Sequence, residues 1–537
     1  MSSFLRERPV PTTAAVGSGL PRVVIIGGGI AGLATAALLA SRGHEVDLLE
    51  KNDALGGRVG SIERDGFRFD TGASWYLMPE VFEHFFLLLG TTADAELDLV
   101  ALDPSYRVFF EDEGDPIDLR PDRAHNRAVF EAIEPGAGRR FDHYLRSADE
   151  TYDVALRRFL YSNFDSPGSL LNAEVLRRGP RLGRLLTRSL ERHVAGRFSD
   201  RRLRQVLGYP AVFLGSSPDR APSMYHLMSR LDLGDRVLYP QGGFTQLIDV
   251  IARLAQRHGA RLHTGAEVSR VLTDQAGPGR RARVTGVAAT VGDEVRTFPA
   301  EVVVGAADLH HLETGLLPTE LQSHPEKAWQ DRSPGPGVVL AMLGVEGRIP
   351  QLPHHSLFFT ADWGQNFGDI FGRRPRVPDP ASVYVCKPSE TDPSVAPPGH
   401  ENLFVLVPVP ADVSIGAGGP DGTGDPLVER TADAALDQIA TWAGIPDLGD
   451  RVRVRHTVGP ADFADRYHAW RGGALGLEHT LRQSAFFRPS NVSSKVDGLL
   501  YAGASTVPGV GLPMCLISAE LVLKRLTGDR SALPVGR

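Results

Sequence analysis

Cysteine is scarce: Cys386 and Cys515 are the only two in 537 residues, far apart and outside any CxxC spacing. A disulfide framework and a cysteine-held zinc are therefore not expected, and a reducing cytoplasm fits. Long apolar runs are missing too. The stretches from Val23 to Ile26 and from Phe85 to Leu89 fall far short of the roughly eighteen residues of a membrane span. Residues 1–20 carry charge, proline and serine but no apolar h-region, so they are expected to be a disordered extension and not a secretion signal. Histidines occur in the pairs His310-His311 and His354-His355, yet neither pair has ligand spacing with a nearby cysteine or carboxylate cluster, and no metal site is expected. The net charge of −7 argues against a general nucleic-acid binder.

At 537 residues, 42% hydrophobic and 23% charged, the chain exceeds one hydrophobic core, and two closely packed domains of a soluble globular protein are expected. Its most specific motif comes early. A strand from Arg22 to Ile26 runs into Gly27-Gly28-Gly29-Ile30-Ala31-Gly32, then into an alanine- and leucine-rich helix from Leu33 to Arg42, with Glu50 following Leu48-Leu49. Gly27 permits a tight turn, Gly29 lets backbone N–H groups approach a pyrophosphate, and Gly32 lets the helix pack closely on the strand. The turn residues Gly27, Gly29, Ala31 and Gly32 are expected against a dinucleotide. Glu50 lies where a carboxylate accepts the hydroxyls of an adenosine ribose and disfavours a 2′-phosphate. Shortly after, Gly56-Gly57-Arg58 offers backbone donors and a guanidinium as a second approach to the phosphates, through Gly57 and Arg58.

From about Pro104 to Asp235 the pattern reads as mostly helical, broken by Ser166-Pro167-Gly168 and Ser216-Ser217-Pro218, and looks inserted. From Gly243 to Ala307 the alternation is α/β again. The segment from Pro334 to Gln483 reads as strands with some helix, expected to form a sheet lining a second cavity, and the glycine-rich stretch from Gly416 to Asp425 as an exposed loop. Between Leu176 and Arg204 there are ten arginines. Leu182, Leu185, Leu186, Leu190 and Val194 follow an approximate helical period there. Such a basic amphipathic helix suits anionic lipid; a surface helix with its leucines on the core is the alternative.

Near the other end, Leu499-Leu500-Tyr501-Ala502-Gly503-Ala504 forms a strand ending in glycine. A glycine/proline loop follows, and a helix begins at about Pro513-Met514. A second helix N-terminus of this kind suits the isoalloxazine end of FAD, where its partial positive charge favours a reduced, anionic ring by about 0.3–1 kcal/mol. Gly503, Ala504, Pro513 and Met514 are the expected contacts.

Taken together, GGGIAGLATAALLASRGHEVDLLEKNDALGGRVGSIERDGFRFDTGASWYLMP, the central VLYPQGGFTQLIDVIARLAQRHGARLHTGAEVSRV and the terminal QSAFFRPSNVSSKVDGLLYAGASTVPGVGLPMCLISAE resemble the bacterial phytoene desaturases, FAD-dependent members of the wider amine-oxidase-like flavoprotein group. The resemblance implies an α/β fold: a Rossmann-like FAD-binding domain (21–103, 236–312 and 485–537) with an inserted α+β substrate and membrane-associating domain (104–235 and 313–484). Ala504 stands where many flavoproteins have Asp, as carotenoid desaturases commonly do. Val507 stands where the family often shows His, so an imidazole role there is absent or displaced.

The implied reaction is desaturation of a carotenoid precursor such as phytoene: hydride leaves an allylic carbon for the flavin, and a proton leaves its neighbour. Glu174 and Arg177 match an acid and an arginine proposed in the family to assist proton removal, with Glu in place of Asp. The implied partners are a hydrophobic polyene drawn from the membrane, the inner face of the cell membrane as a peripheral docking surface, and oxygen or a quinone as electron acceptor. Alternatives are a carotenoid oxidase, a desaturase of a modified carotenoid, an amine or porphyrinogen oxidase of the same group, or a non-enzymatic binder of a lipidated partner.

Overall fold

The computed structural model describes residues 19–111, 113–164, 182–274 and 280–536; residues 1–18 of the expected extension lie outside them. The glycine turn follows the central strand of a five-stranded parallel sheet, in the order Leu499–Tyr501, Val302–Gly305, Val23–Ile26, Val46–Leu49, Arg261–His263. Val23–Ile26 is apolar at every position because both faces of the sheet are covered. Val23 and Ile25 share a core with the helix Ile30–Ser41. Val24 and Ile26 instead meet Val268, Val284 and Val287, which belong to an antiparallel layer of Ala266–Thr273, Ala282–Val291 and Glu294–Pro299.

Ile30–Ser41 is buried along almost its whole length. It lies between the sheet and two further helices, Thr245–Arg257 and Leu512–Thr527. Its composition of alanine, leucine and glycine allows such close packing on several sides.

A second, seven-stranded sheet runs in the order Val452–Val458, Gly337–Glu346, His400–Val409, Val383–Cys386, His355–Phe359, Tyr106–Phe110, Glu113–Leu119. His355–Phe359 and Tyr106–Phe110 pair in parallel, and the other neighbours are antiparallel. The stretch read as mostly helical from Pro104 thus opens with two strands. Tyr-Arg-Val-Phe-Phe is rich in β-forming side chains, and pairing with Ser356 to Phe359 overrides the helical pattern that follows. Along Gly337–Glu346 the side chains divide by face: Val339, Leu343 and Val345 meet the helix Pro426–Trp442, while Val338, Leu340 and Met342 meet Phe67 and Phe69.

Gly416 to Asp425 is a loop, exposed at 420–423 and 425, and one side of it is anchored: a Cβ on Gly418 would lie 2.0 Å from the Thr457 carbonyl oxygen, so glycine lets the segment lie flat on the edge strand. Among its described residues the basic segment forms two short helices, 182–187 and Leu190–Ala195, and the start of a third, Arg201–Gly208, with Ser189 capping the second. Leu185, Leu190 and Val194 are buried, whereas Leu186 is exposed. Its apolar stripe therefore serves the core at three positions and faces outward at one.

Tyr106 in the sheet and Tyr209 in the helical region both donate to Asp232 Oδ2, at 2.9 and 2.7 Å. Burial pushes the Asp232 carboxyl up to about 7 against the opposing effect of those hydroxyls. It therefore holds its proton in the fold at a pH where the unfolded chain, near the ordinary 3.8, has released it. Stability from this group is present below the unfolded value and is lost as pH rises toward about 7. Asp232→Asn is expected to flatten that loss: the urea-unfolding free energy should fall less between about pH 5 and pH 8 than in the wild type.

Candidate cofactor and substrate site

The two glycine turns near the front lie on each other. Gly27 has φ +105°, and a Cβ on Gly32 would sit 1.9 Å from the Gly27 carbonyl oxygen, so the helix approaches the strand as closely as the motif predicts. At Gly29 the nearest atom to a Cβ would be Gly56 O at 3.9 Å; this position opens onto a cavity. Gly56 N donates to Gly28 O at 2.9 Å, which places Gly57 against Gly29. Glu50 is buried and fixed by three donors: Gly28 N to Oε2 at 2.7 Å, and Asn52 N and Nδ2 to Oε1 at 2.8 and 2.7 Å. Its carboxylate lines the cavity and keeps further acceptor lone pairs beyond those three bonds. Arg58 reaches the same space, with Nη2 3.9 Å from Asp308 and a buried Nε that meets no acceptor.

The far end of the chain closes this site. Gly503, at φ +111°, would bring a Cβ to 3.5 Å from the Ala31 methyl. Its N–H donates to Ser518 Oγ at 3.0 Å, and that hydroxyl donates to Val507 O at 3.0 Å, tying strand, loop and helix. Pro513 and Met514 stand in the first turn of Leu512–Thr527 and line the cavity, as do Gly503 and Ala504. Gly511 caps this helix without a side-chain hydrogen bond. Two helix N-termini, each with N–H groups lacking partners inside the helix, thus open on one cavity of about 920 Å³. The unmatched Arg58 Nε and the open Gly29 position suit phosphates, and the Gly511 end suits an electron-rich ring. The residues present fit FAD.

Arg488 was not singled out by sequence reasoning. It is buried, and its guanidinium donates to Thr506 O at 3.0 Å, Gln483 O at 3.1 Å, Leu477 O at 3.3 Å and Ala504 O. Burial brings its pKa down to about 10, so it stays charged at neutral pH beneath the C-terminal turn. A lone arginine inside Ala-Phe-Phe-Arg-Pro was the available signal.

Beyond the C-terminal turn the cavity becomes an apolar chamber. Leu340, Leu357 and Leu406 come from the seven-stranded sheet, and Phe213, Met228 and Leu231 from the helical region. Three of its tyrosines have bonded hydroxyls: Tyr209 to Asp232, Tyr384 to Ser74 at 2.7 Å, and Tyr152 to Glu80. At the mouth, Phe164 packs edge-on to Phe486, and Leu186, Leu481, Phe486 and Phe487 are exposed, Phe487 by 64%. Glu174 and Arg177 lie outside the described residues.

The fold brings a cysteine to one histidine pair that sequence spacing left without one. His355 pairs across the sheet with Cys386, so ligand atoms of His354, His355 and Cys386 come within 4.8 Å of one another. Burial holds both imidazoles neutral and pushes the thiol up. His355 stacks on Trp75 at 4.5 Å, with Nδ1 2.9 Å from the Tyr384 hydroxyl.

A sequence model of the flavin containing amine oxidoreductases matches residues 30–523. Over 507 residues the chain is 41% identical to a carotenoid 3,4-desaturase of Haloarcula japonica, covering 94% of this chain and 98% of that one. Over 509 residues it is 36% identical to a zeta-carotene-forming phytoene desaturase of Myxococcus xanthus, covering 94% and 93%. Among solved structures, cyclohexylamine oxidase of Brevibacterium oxydans aligns with a TM-score of 0.55 at 16% identity, over 95% of this chain and 99% of that chain. At that identity the likeness is one of fold.

Arg488→Leu would leave the carbonyls of Leu477, Gln483, Ala504 and Thr506 without their buried donor, at about 1–3 kcal/mol for each acceptor left unsatisfied. The variant is expected to unfold at lower temperature and to release FAD at least ~10-fold more readily, read by the fluorescence of freed flavin; Arg488→Lys should recover part of both.

Proposed function

Because the chain belongs to the flavin containing amine oxidoreductases, and within them to the carotenoid desaturases, we propose that it is an FAD-dependent desaturase that removes two hydrogens from a hydrophobic carotenoid precursor such as phytoene. The observation that carries this reading is one cavity, running from Glu50 and Arg58 past the Gly511 helix end into a chamber walled by aliphatic and aromatic side chains. Glu50, Gly57 and Arg58 would hold the dinucleotide portion, and Gly503, Ala504, Pro513 and Met514 the flavin portion. When bound, FAD supplies the two-electron acceptor that no side chain provides.

The protein's own contribution is positional. The chamber orients a long hydrocarbon by shape and excludes water from the carbons that react. The Gly511 helix end stabilises negative charge developing beside it. Oxygen or a quinone, both able to enter an apolar space, serves as the final acceptor. An amine oxidase of the same fold would call for polar groups near the reacting centre. Lys387, a candidate for such a role, is instead buried away from the cavity on Glu401 at 3.1 Å and Glu390 at 2.7 Å.

The chamber mouth supports peripheral docking on a membrane. Phe486, Phe487, Leu481 and Leu186 form an apolar rim with the exposed Arg184, Arg192 and Arg482 on the same segments. No helix among the described residues is long and apolar enough to cross a membrane. A polyene already dissolved in acyl chains gains little on moving into a chamber of similar polarity, so the mouth must meet the bilayer. The similarity to a carotenoid 3,4-desaturase favours a second reading, desaturation of an already modified carotenoid.

The deciding experiment is turnover by purified, FAD-loaded protein of phytoene and of a modified carotenoid in vesicles, followed by the red shift of the polyene spectrum. Oxidation of an amine with no change in any polyene would overturn the proposal. For docking, Phe486→Ser with Phe487→Ser should keep full flavin absorbance, reduce flotation with anionic vesicles by on the order of tenfold or more, and reduce vesicle-borne turnover in parallel.

A further inference from the structure

The end of the cavity marked by Glu50, where an adenosine ribose is expected, is not bounded by the glycine turns alone. A helix, Pro460–Tyr467, follows the edge strand Val452–Val458 of the seven-stranded sheet and ends beside Glu50. The last carbonyls of a helix have no donors inside it. Here two come from across the site: Lys51 Nζ donates to Asp465 O at 2.7 Å, and Asn52 Nδ2 donates to Arg466 O at 3.1 Å. Both donors follow directly on Glu50, and the Lys51 ammonium also meets the partial negative charge of the helix C-terminus.

Asn52 makes this connection specific. Its side-chain nitrogen has two hydrogens; one goes to Arg466 O and the other to Glu50 Oε1 at 2.7 Å. Its backbone carbonyl accepts from Gly265 N at 3.0 Å, so the residue is also held from below. Just past the helix, His468 takes a left-handed conformation with φ +50°. Its ring stacks on His311 with centres 3.9 Å apart and planes at 14°, and its Nε2 lies 3.3 Å from Glu267 Oε1. His311 belongs to the helix Leu309–Thr314, which follows the strand Val302–Gly305, whereas Lys51 and Asn52 follow Val46–Leu49. Those two strands flank Val23–Ile26 in the parallel sheet. The turn at 465–468 thus crosses from one flank of the glycine turn to the other, and Arg466, Tyr467 and His468 line the cavity there.

We propose that residues 465–468 are a latch over the adenosine end of the FAD site, and that the cofactor enters and leaves through this end when the latch lifts. This rests on the fit of FAD to the site and not on which substrate the chamber takes. The other route runs through the apolar chamber, which a charged diphosphate crosses only at a large desolvation cost. The charged side chains that line the cavity cluster instead at this end, among them Lys51, Arg58 and Arg466. Both hydrogen bonds to the helix carbonyls lie at the surface, where water replaces them readily, so the turn opens without unfolding the sheet below it. When it is closed, Asn52 divides its two hydrogens between the latch and Glu50, and one side chain both aims the carboxylate and shuts the exit.

The test follows the flavin and not turnover. FAD release from the loaded full-length protein is timed by flavin fluorescence in the presence of a flavin-scavenging apoprotein, and rebinding by the quenching of added FAD. Lys51→Met keeps the aliphatic stem, and His468→Gly suits the left-handed backbone; they remove ties on opposite sides of the latch. Each should speed release by about 3–10-fold and rebinding in the same proportion, leaving Kd within about twofold of wild type. Lys51→Arg should keep both rates within about twofold, because a guanidinium donates to the same carbonyl. A damaged site does the reverse of an unlatched one, releasing FAD faster and rebinding it more slowly, so that pattern in both variants overturns the latch. A wild type that takes up no FAD overturns the cofactor assignment as well, whereas FAD-loaded variants with both rates unchanged overturn this inference alone.

Discussion

The cofactor site depends on contact between two helices drawn from opposite ends of the chain, Ile30–Ser41 and Leu512–Thr527. The turns beside them close up for want of bulk: Ala31 presents one methyl to Gly503, and Gly32 presents no side chain to Gly27. Interiors this closely packed accommodate an added methylene by displacing backbone, not by compressing. An extended cofactor held at both helix ends would feel an error in their separation at the dinucleotide and at the ring together. The ties around this contact then read as a single system: Gly28 to Glu50, Gly503 to Ser518, and Arg488 to four carbonyls all hold the two turns at one spacing.

The chamber follows the opposite rule, with few free polar groups. Tyr152, Tyr209 and Tyr384 line it while their hydroxyls bond to Glu80, Asp232 and Ser74. Aromatic residues suit this because one end is apolar and the other satisfied. A wall made in this way reads length and curvature and reads hydroxyl groups poorly, since an apolar pocket rejects an added hydroxyl only weakly. That accounts physically for one scaffold serving relatives named for different carotenoids.

The glycine turn and Glu50 were legible because their spacing is set by backbone geometry that few other arrangements require. The C-terminal turn was legible for the same reason: Gly503 occupies a left-handed conformation and the helix beyond it opens with proline. Arg488 was not, because its four acceptors come from Leu477, Gln483, Ala504 and Thr506, and only the folded turn makes them converge. The orientation of the buried His479 ring depends on the Leu214 carbonyl, 265 residues away, a distance at which no periodicity carries information. The meeting of His355 with Cys386 is a product of strand register, and the start of the helical insertion was misjudged for a related reason, since Tyr106–Phe110 becomes a strand by pairing with His355–Phe359. Across the basic segment, periodicity located the apolar positions but could not tell Leu185, which is buried, from Leu186, which is exposed.

The pairing of Val303 with Leu499 has a consequence for synthesis. Strands 23–26, 46–49, 261–263 and 302–305 leave the ribosome in turn and can begin to assemble, but their sheet keeps a bare edge along Val302–Gly305 until nearly two hundred further residues have been made. During that interval the unpaired edge and the unroofed apolar chamber are the surfaces a chaperone would recognise. A cofactor held by both turns would therefore be captured late in the life of the chain, on the arrival of a three-residue strand and the helix behind it.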